Sequence, residues 1–409
     1  MDTNATTQRR PEVTVLSHIA PSRRVTHAGG LYVLEEARVL CDRVSAVIFA
    51  PMTEDNAQAG ADRWADSIDV QVVPPGRSLW ENVVQRVQAV LDPFGWPVAT
   101  GFSRAVVRND AVAQRLRESD IVEIQWLEYF RLVGFVRRTA PNARIVGFAP
   151  DITSQRIHRL MTNSGNPIVR LCANSVRSAN RARERRWFSA LDTAIVLSEK
   201  DADLLRELNP TCRIEVVYPN LEEPEMADLD YARRVEGKEV VFVGVFSRPE
   251  NDSAAVALID RMWPKVVEKH PDARLTVVGR DPSDRMRAAA RNHPSVTITG
   301  RVESIVPYYL SANCAVVPLV YGAGVKFKTV SAMLWGVPIV STHVGTEGIG
   351  PDEFFYDVSD TEDGLVDGMV RCLADSEARS DAQGARRWAC ERYSAAAFRS
   401  RIETIFARP

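Results

Sequence analysis

Residues 240–245 read Val-Val-Phe-Val-Gly-Val, residues 274–279 read Arg-Leu-Thr-Val-Val-Gly, and residues 314–319 read Cys-Ala-Val-Val-Pro-Leu. Each is a short, nearly continuous apolar run, rich in β-branched residues and ended by glycine or proline chemistry. Continuous apolarity, without strict alternation, marks a strand covered on both faces, as in a parallel sheet. Two further runs begin at Val296 and Pro338. Helix-length amphipathic stretches lie between the runs, such as Asp252 to Lys269 and Asp281 to Arg291. Strand and helix alternate, and that is the pattern of an α/β fold. The first half repeats it, with apolar runs beginning at Val13, Ser45, Val70, Ile121, Arg144, Thr193 and Arg213.

Between the two series the pattern breaks. Pro219-Asn220-Leu221-Glu222-Glu223-Pro224 is followed by an acidic stretch through Asp228 and Asp230. The expected organisation is a loose tail over 1–11, a Rossmann-like domain over 12–218 and a linker over 219–239. A second Rossmann-like domain over 240–390 follows, then a C-terminal helix over 391–409 that returns to the first domain. The 409 residues suit two or three domains of about 150 residues each.

Composition excludes several classes. Lys plus Arg number 51 against 53 Asp plus Glu, a net charge of -2, without the basic excess of a general nucleic-acid binder. Six scattered cysteines form no C-x-x-C pair, which points to reduced thiols and away from a disulfide frame or a zinc site. Residues 1–13 are polar and offer no signal peptide, and no window is apolar enough to span a membrane. The expected location is the cytoplasm, with peripheral contact to the inner face of the membrane left open.

The densest motif is Tyr321-Gly322-Ala323-Gly324-Val325-Lys326-Phe327-Lys328, followed by a helical run to Trp335 that Gly336 and Pro338 stop. A glycine-rich turn opening a helix presents free N–H groups and the positive dipole end to an anion. Two lysines in the first turn oppose that dipole, which an anion bound between them would explain. Both lysines are expected to be exposed.

The block from Gly322 to Ile349 resembles the donor-binding signature of the retaining GT-B glycosyltransferases of the "group 1" type. The resemblance continues upstream through V-V-F-V-G at Val240, P-D-A-R-L-T-V-V-G-R at Pro271, V-T-I-T-G-R-V at Val296 and P-Y-Y-L-S-A-N at Pro307. It is strong over about 240–350 and weaker in the first half. It implies two Rossmann-like domains facing a cleft, donor on the second and acceptor on the first; the last segment, Gly364 to Phe406, is helical by its own pattern. It implies an enzyme of hexosyltransferase type that moves a sugar from a UDP-, GDP- or dTDP-linked donor to an acceptor hydroxyl, with retention. The nucleotide sugar is then a co-substrate and no cofactor is expected.

Carried over residue by residue, the resemblance gives donor contacts to Gly322, Gly324, Lys326 and Lys328 around the diphosphate, and to Arg248 after the first strand of the second domain. Arg280 is a weaker candidate. It places base recognition near Arg301 and Val302, and a close backbone approach at His27-Ala28-Gly29-Gly30. Lys326, Lys328 and Asp151 are the catalytic candidates. Gln125, Trp126 and Glu128, after a strand's carboxyl end, are the acceptor-binding candidates, with Tyr129 beside them. Two positions depart from the family pattern: Ser331 stands where a glutamate is usual, and Pro150-Asp151 where a histidine is usual. A donor without a 2′-hydroxyl, such as a dTDP-sugar, is one explanation. A substitute histidine, His158 or His27, is another, and a non-catalytic relative is a third. A capping role for Asp151 competes with its candidate sugar contact.

Asp201-Ala202-Asp203 and Asp228-Leu229-Asp230 match D-x-D only as common residues do by chance, so no metal is expected. Residues 177–187, R-S-A-N-R-A-R-E-R-R-W, are densely basic and read either as a solvated helix face or as a contact for anionic lipid. Two other readings of the whole chain stay open, a non-catalytic nucleotide-sugar-fold binding protein and a nucleotide-sugar epimerase.

Overall fold

A computed structural model describes residues 9–22, 28–61, 67–74, 101–221, 237–322 and 324–407. The chain divides into two compact units, one of residues 1–220 with 395–409, the other of residues 221–394.

The first unit is built on a parallel sheet. Its described strands are β1 (Glu12–Leu16), β2 (Ser45–Pro51), β3 (Ile68–Val73), β4 (Ile121–Gln125), β5 (Arg144–Phe148), β6 (Thr193–Val196) and β7 (Arg213–Val216). Their order is β3-β2-β1-β4-β5-β6-β7. All seven apolar runs of the first half are therefore strands. Helices Ala28–Leu40, Gly101–Arg108, Asp110–Arg117, Val133–Thr139, Pro167–Phe188 and Glu199–Leu208 connect them. One core joins the sheet to the helices from Gly101 onward through Leu16, Val106, Leu116, Ile124, Phe130, Val136, Phe188 and Leu205.

The last helix, Ala395–Phe406, belongs to this unit and packs on Ala28–Leu40. Phe398 stands edge-on to Tyr32 at 5.4 Å. Arg144 donates to the carbonyls of Ile405 and Ala407, groups that a helix C-terminus leaves without intrahelical partners.

The second unit carries β8 (Glu239–Val243), β9 (Arg274–Val278), β10 (Val296–Gly300), β11 (Cys314–Val317), β12 (Ile339–Ser341) and β13 (Asp357–Val358), in the order β10-β9-β8-β11-β12-β13. All these pairings are parallel. The five apolar runs of the second half are strands; β13, two residues long, carries no periodic signal and was not expected. The stretch Asp252 to Lys269 lies in a helix interrupted by a π turn at Leu258–Met262, just before Pro264. Proline has no N–H to continue the ladder, and the wider turn absorbs that loss.

Candidate functional site

In the second unit the strand order reverses at β8. The chain runs outward through β9 to β10, then returns to lay β11 on the other side of β8. Open α/β sheets bind ligands outside the carboxyl ends of their strands at such a reversal. Two loops leave the sheet there: residues 244–248 after β8, and residues 318–326 after β11.

The first loop is held down by backbone pairing. Gly244 N–H donates to Val278 O at 2.9 Å and Phe246 N–H to Arg280 O at 3.0 Å. Gly279, at φ 144°, makes this approach possible, since a Cβ there would stand 1.7 Å from Gly244 O. The loop ends at Arg248, exposed at the N-cap of helix Pro249–Ala257. One turn on, Asn251 is 5% exposed. Its amide donates to Val245 O at 2.8 Å and its Oδ1 accepts from Lys328 Nζ.

The second loop turns through Gly324 at φ 70°, a left-handed conformation that favours glycine. Lys326 is the N-cap of helix Phe327–Leu334, and its Nζ donates back to Gly324 O at 2.6 Å. The helix start is pinned by Tyr309, whose buried phenol donates to Lys328 O at 3.0 Å, and by Thr329 Oγ1, which donates to Gly345 O at 2.7 Å. Tyr321 OH and Ser253 Oγ, 3.2 Å apart, tie this loop to helix Pro249–Ala257.

Lys328 sits at the centre. Its Nζ lies 5.0 Å from the centroid of the Phe242 ring, a cation–π contact. Desolvation pushes its pKa down to about 7; Glu250 pulls it up, and the cations Lys326 and Arg248 push it further down. Both lysines, expected to be exposed, are half-buried instead. The reason is the packing of Lys328 between Asn251 and Phe242, and the folding of Lys326 over Gly322, whose added Cβ would meet Lys326 Cε at 3.4 Å. Three cations converge against one acid, an arrangement that an oligoanion would complete. Ser331, three residues after Lys328, shares its helix face and is half-buried. Arg280, whose carbonyl holds the first loop through Phe246, follows β9, and Val302 follows β10; both are half-buried. Asp281, at φ 60°, is a strained neighbour of Arg280 that no sequence signal marked.

The first sheet reverses at β1, with β4 on the far side from β2. His18 follows β1 and Trp126 follows β4. His18 Nδ1 and Tyr129 OH are 3.0 Å apart, and the His18 ring is 6.3 Å from Trp126. Trp126 has φ 70° and ψ 133°, strained for a residue with a Cβ, and strained backbone concentrates at functional positions. His18 was not singled out by the sequence, although its place directly after a strand's carboxyl end was a usable signal.

Directly before Trp126 in the chain lies a buried polar group. Gln125, 1% exposed, donates to Glu36 Oε2 at 2.6 Å. Its side chain is turned to the buried Glu36 and is not open to solvent. Burial raises the pKa of Glu36, and the nearby Glu123 raises it further; burial likewise raises that of Glu123. The pair is therefore protonated well into the range where carboxylates are normally charged. Glu128 is exposed. Gly29 is half-buried and Gly30 buried at the start of Ala28–Leu40, while His27 lies outside the described residues. Asp151 follows β5 and pairs with Arg156 at 3.1 Å. Ile152, not Asp151, is the N-cap of helix Thr153–Thr162.

Asp201 is buried, and its backbone N–H is capped by Ser198 Oγ. Asp203 pairs with Arg206, and Asp228 and Asp230 lie outside the described residues. His158, half-buried on Thr153–Thr162, has a buried Nδ1 with no hydrogen-bond partner. Among the described residues no three His, Cys, Asp or Glu side chains group as metal ligands, and no helix is long and apolar enough to cross a membrane.

Residues 237–375 match the family model described as "Glycosyl transferases group 1". A protein from the cps region of Klebsiella pneumoniae, known as an uncharacterized 44.6 kDa protein, is 30% identical over 118 residues, 27% of this chain and 30% of that protein. Among solved structures, sucrose-phosphate synthase from Thermosynechococcus elongatus is similar at TM-score 0.71 and 17% identity, covering 97% of this chain and 98% of that one. Anabaena Alr3699/HepE, solved with UDP and glucose, is similar at TM-score 0.66 and 13% identity, covering 97% and 99%. The architecture, two parallel α/β sheets with a helical C-terminal segment, is the GT-B fold of these structures.

Proposed function

We propose that this chain, whose residues 237–375 match the glycosyl transferases group 1 model, is an enzyme that transfers a sugar from a nucleotide-sugar donor to an acceptor hydroxyl. The observation that carries the reading is the cluster of Lys326, Lys328 and Arg248 at the reversal of the second sheet. When the bond from the sugar's anomeric carbon to the diphosphate breaks, negative charge grows on the leaving phosphate. Fixed cations and free N–H groups stabilise that charge most in the transition state. Lys328 is suited to respond. Its depressed pKa in the free protein would rise beside a diphosphate, so binding draws in a proton and restores the ammonium group.

The acceptor is assigned to the first unit, at His18, Trp126 and Tyr129. The acceptor oxygen attacks the anomeric carbon while its proton passes to the departing phosphate, so retention needs no protein nucleophile. The three cations supply the charge that a divalent metal would otherwise bring, which supports transfer without metal. A hexose as the sugar and UDP, GDP or dTDP as the carrier are parts of the same proposal. The UDP and glucose of the HepE structure make UDP-glucose the first donor to try, and Ser331 makes dTDP-sugars the second.

The test is a thermal-shift screen against UDP, GDP, dTDP, ADP and CMP with and without magnesium, followed by transfer assays on Lys326→Ala and Lys328→Ala. A ligand at 100 times its Kd adds about 2.7 kcal/mol to stability. Removing one such donor should lower the transfer rate by about 10²–10³. No nucleotide shift at millimolar concentration, or wild-type rates in both variants, would refute the donor assignment.

A further inference from the structure

We propose that the helical hairpin of residues 153–188 docks on a lipid bilayer bearing anionic headgroups. Helices Thr153–Thr162 and Pro167–Phe188 pack on each other through Ile157, Met161 and Ala173. Their outer side is unusual. Ile168 is 70% exposed, Leu171 82% and Leu160 45%, three of the six large hydrophobics exposed among the described residues. Ile168 and Leu171 are three residues apart, so they share one face at the hairpin's tip.

Charge selects the partner. Residues 153–188 contain eight arginines and one acid, Glu184, which is 1% exposed. Some of these arginines are engaged: Arg156 with Asp151, Arg181 with Glu207 at 3.9 Å, and Arg185 with Leu208 O. Arg186 lies 18 positions after Ile168, five full turns, and so returns to the face of Ile168 about 27 Å along the helix. It lines a recess of about 480 Å3 together with Arg104, Arg108, Arg131 and Arg138. No carboxylate lines that recess, and Arg104 Nη2 is buried there without a hydrogen-bond partner. Burial, with Arg183 and Arg104 nearby, pulls the Arg131 guanidinium below its ordinary value.

An apolar tip and an arginine-lined recess on one helix face match the two layers of a bilayer surface. Ile168 and Leu171 enter the acyl boundary, and the arginines take phosphate headgroups. A nucleic acid would use the charge but not the apolar tip. A protein partner would have to satisfy five arginines in one recess.

Vesicle sedimentation tests this without reference to catalysis. Wild type is mixed with phosphatidylcholine vesicles, and with vesicles containing about one-third phosphatidylglycerol, at low and high salt. Expected is binding to the anionic vesicles only, weakened by salt as screening shortens. Ile168→Ser with Leu171→Ser should lower the partition coefficient about tenfold or more, since both side chains lose their burial in lipid. Arg138→Gln with Arg186→Gln should lower it and flatten the salt dependence. All four positions are exposed, so the melting temperature should stay that of wild type. Absence of binding to anionic vesicles would overturn the proposal, as would equal binding to neutral ones. Unchanged binding by the serine pair would overturn it too. Self-association lost in the serine pair, without vesicle binding, would assign the face to a second copy of the chain.

Discussion

Lys328 is held over an aromatic ring with two other cations nearby, and its pKa of about 7 records the desolvation and repulsion. An unfolded lysine titrates near about 10.4. Between these values the unfolded chain binds more protons, so stability of the ligand-free protein rises with pH there. The cost is fully present below about pH 7 and gone above the unfolded value. Lys328→Met, which keeps the length and removes the charge, should therefore raise the melting temperature at pH 6.5 and leave it unchanged at pH 10.5. Melts at both pH values check this, and a lower melting temperature at pH 6.5 would contradict the desolvation argument. In the same pH direction, nucleotide diphosphate affinity should fall from pH 7 to 9. Lys328→Arg, always charged, should flatten that fall when both are titrated by calorimetry. The sequence identified both lysines through the glycine-rich turn. It did not identify Asn251 or Phe242, because a lone Asn in a helix and a Phe in an apolar strand carry no sign of what they will face.

Strand β4 shows the same division for an element. Ile-Val-Glu-Ile-Gln was legible as a strand, and all five residues are buried. Glu123 and Gln125, two apart, share a face of the strand. Alone that would suggest a wet face. The fold instead closes it with Glu36 and Tyr32 of helix Ala28–Leu40. Burial raises both carboxyl pKa values, and the charge of Glu123 raises that of Glu36 further, so the folded state holds protons that the unfolded state releases above about 4.3. Stability from this pair is full below that pH and lost as pH rises through the folded values. Glu123→Gln should then raise the melting temperature more at pH 8 than at pH 5. An equal shift at both would show that the pair does not share a buried proton. The strained Trp126 directly follows this strand. His18→Ala should raise the acceptor KM with little change in donor KM, and steady-state kinetics with each substrate varied would show it.

At the scale of the whole molecule, the first unit is completed by the chain's last helix. Phe398, Ile402, Ile405 and Phe406 are each 3% exposed or less. Burying each is worth about 1.5–3 kcal/mol, so the four together rival the 5–15 kcal/mol total of a typical domain. Removing residues 395–409 should unfold the first unit and leave the second folded, read as the loss of one of two unfolding transitions. A single unchanged transition would refute it. The sequence determined twelve of the thirteen described strands, their parallel sense and the glycine-rich loop before helix Phe327–Leu334, because these follow from apolar runs, helix-length spacing and local backbone freedom. Tertiary structure decided which of those elements meet. The reversals at β8 and β1 bring Arg248 to Lys328 across some 80 positions, and His18 to Trp126 across more than 100. It also decided which charges lose their water. Burial belongs to residues distant in the chain, so neither the shifted Lys328 nor the protonated Glu36 and Glu123 could be read from their neighbours in sequence.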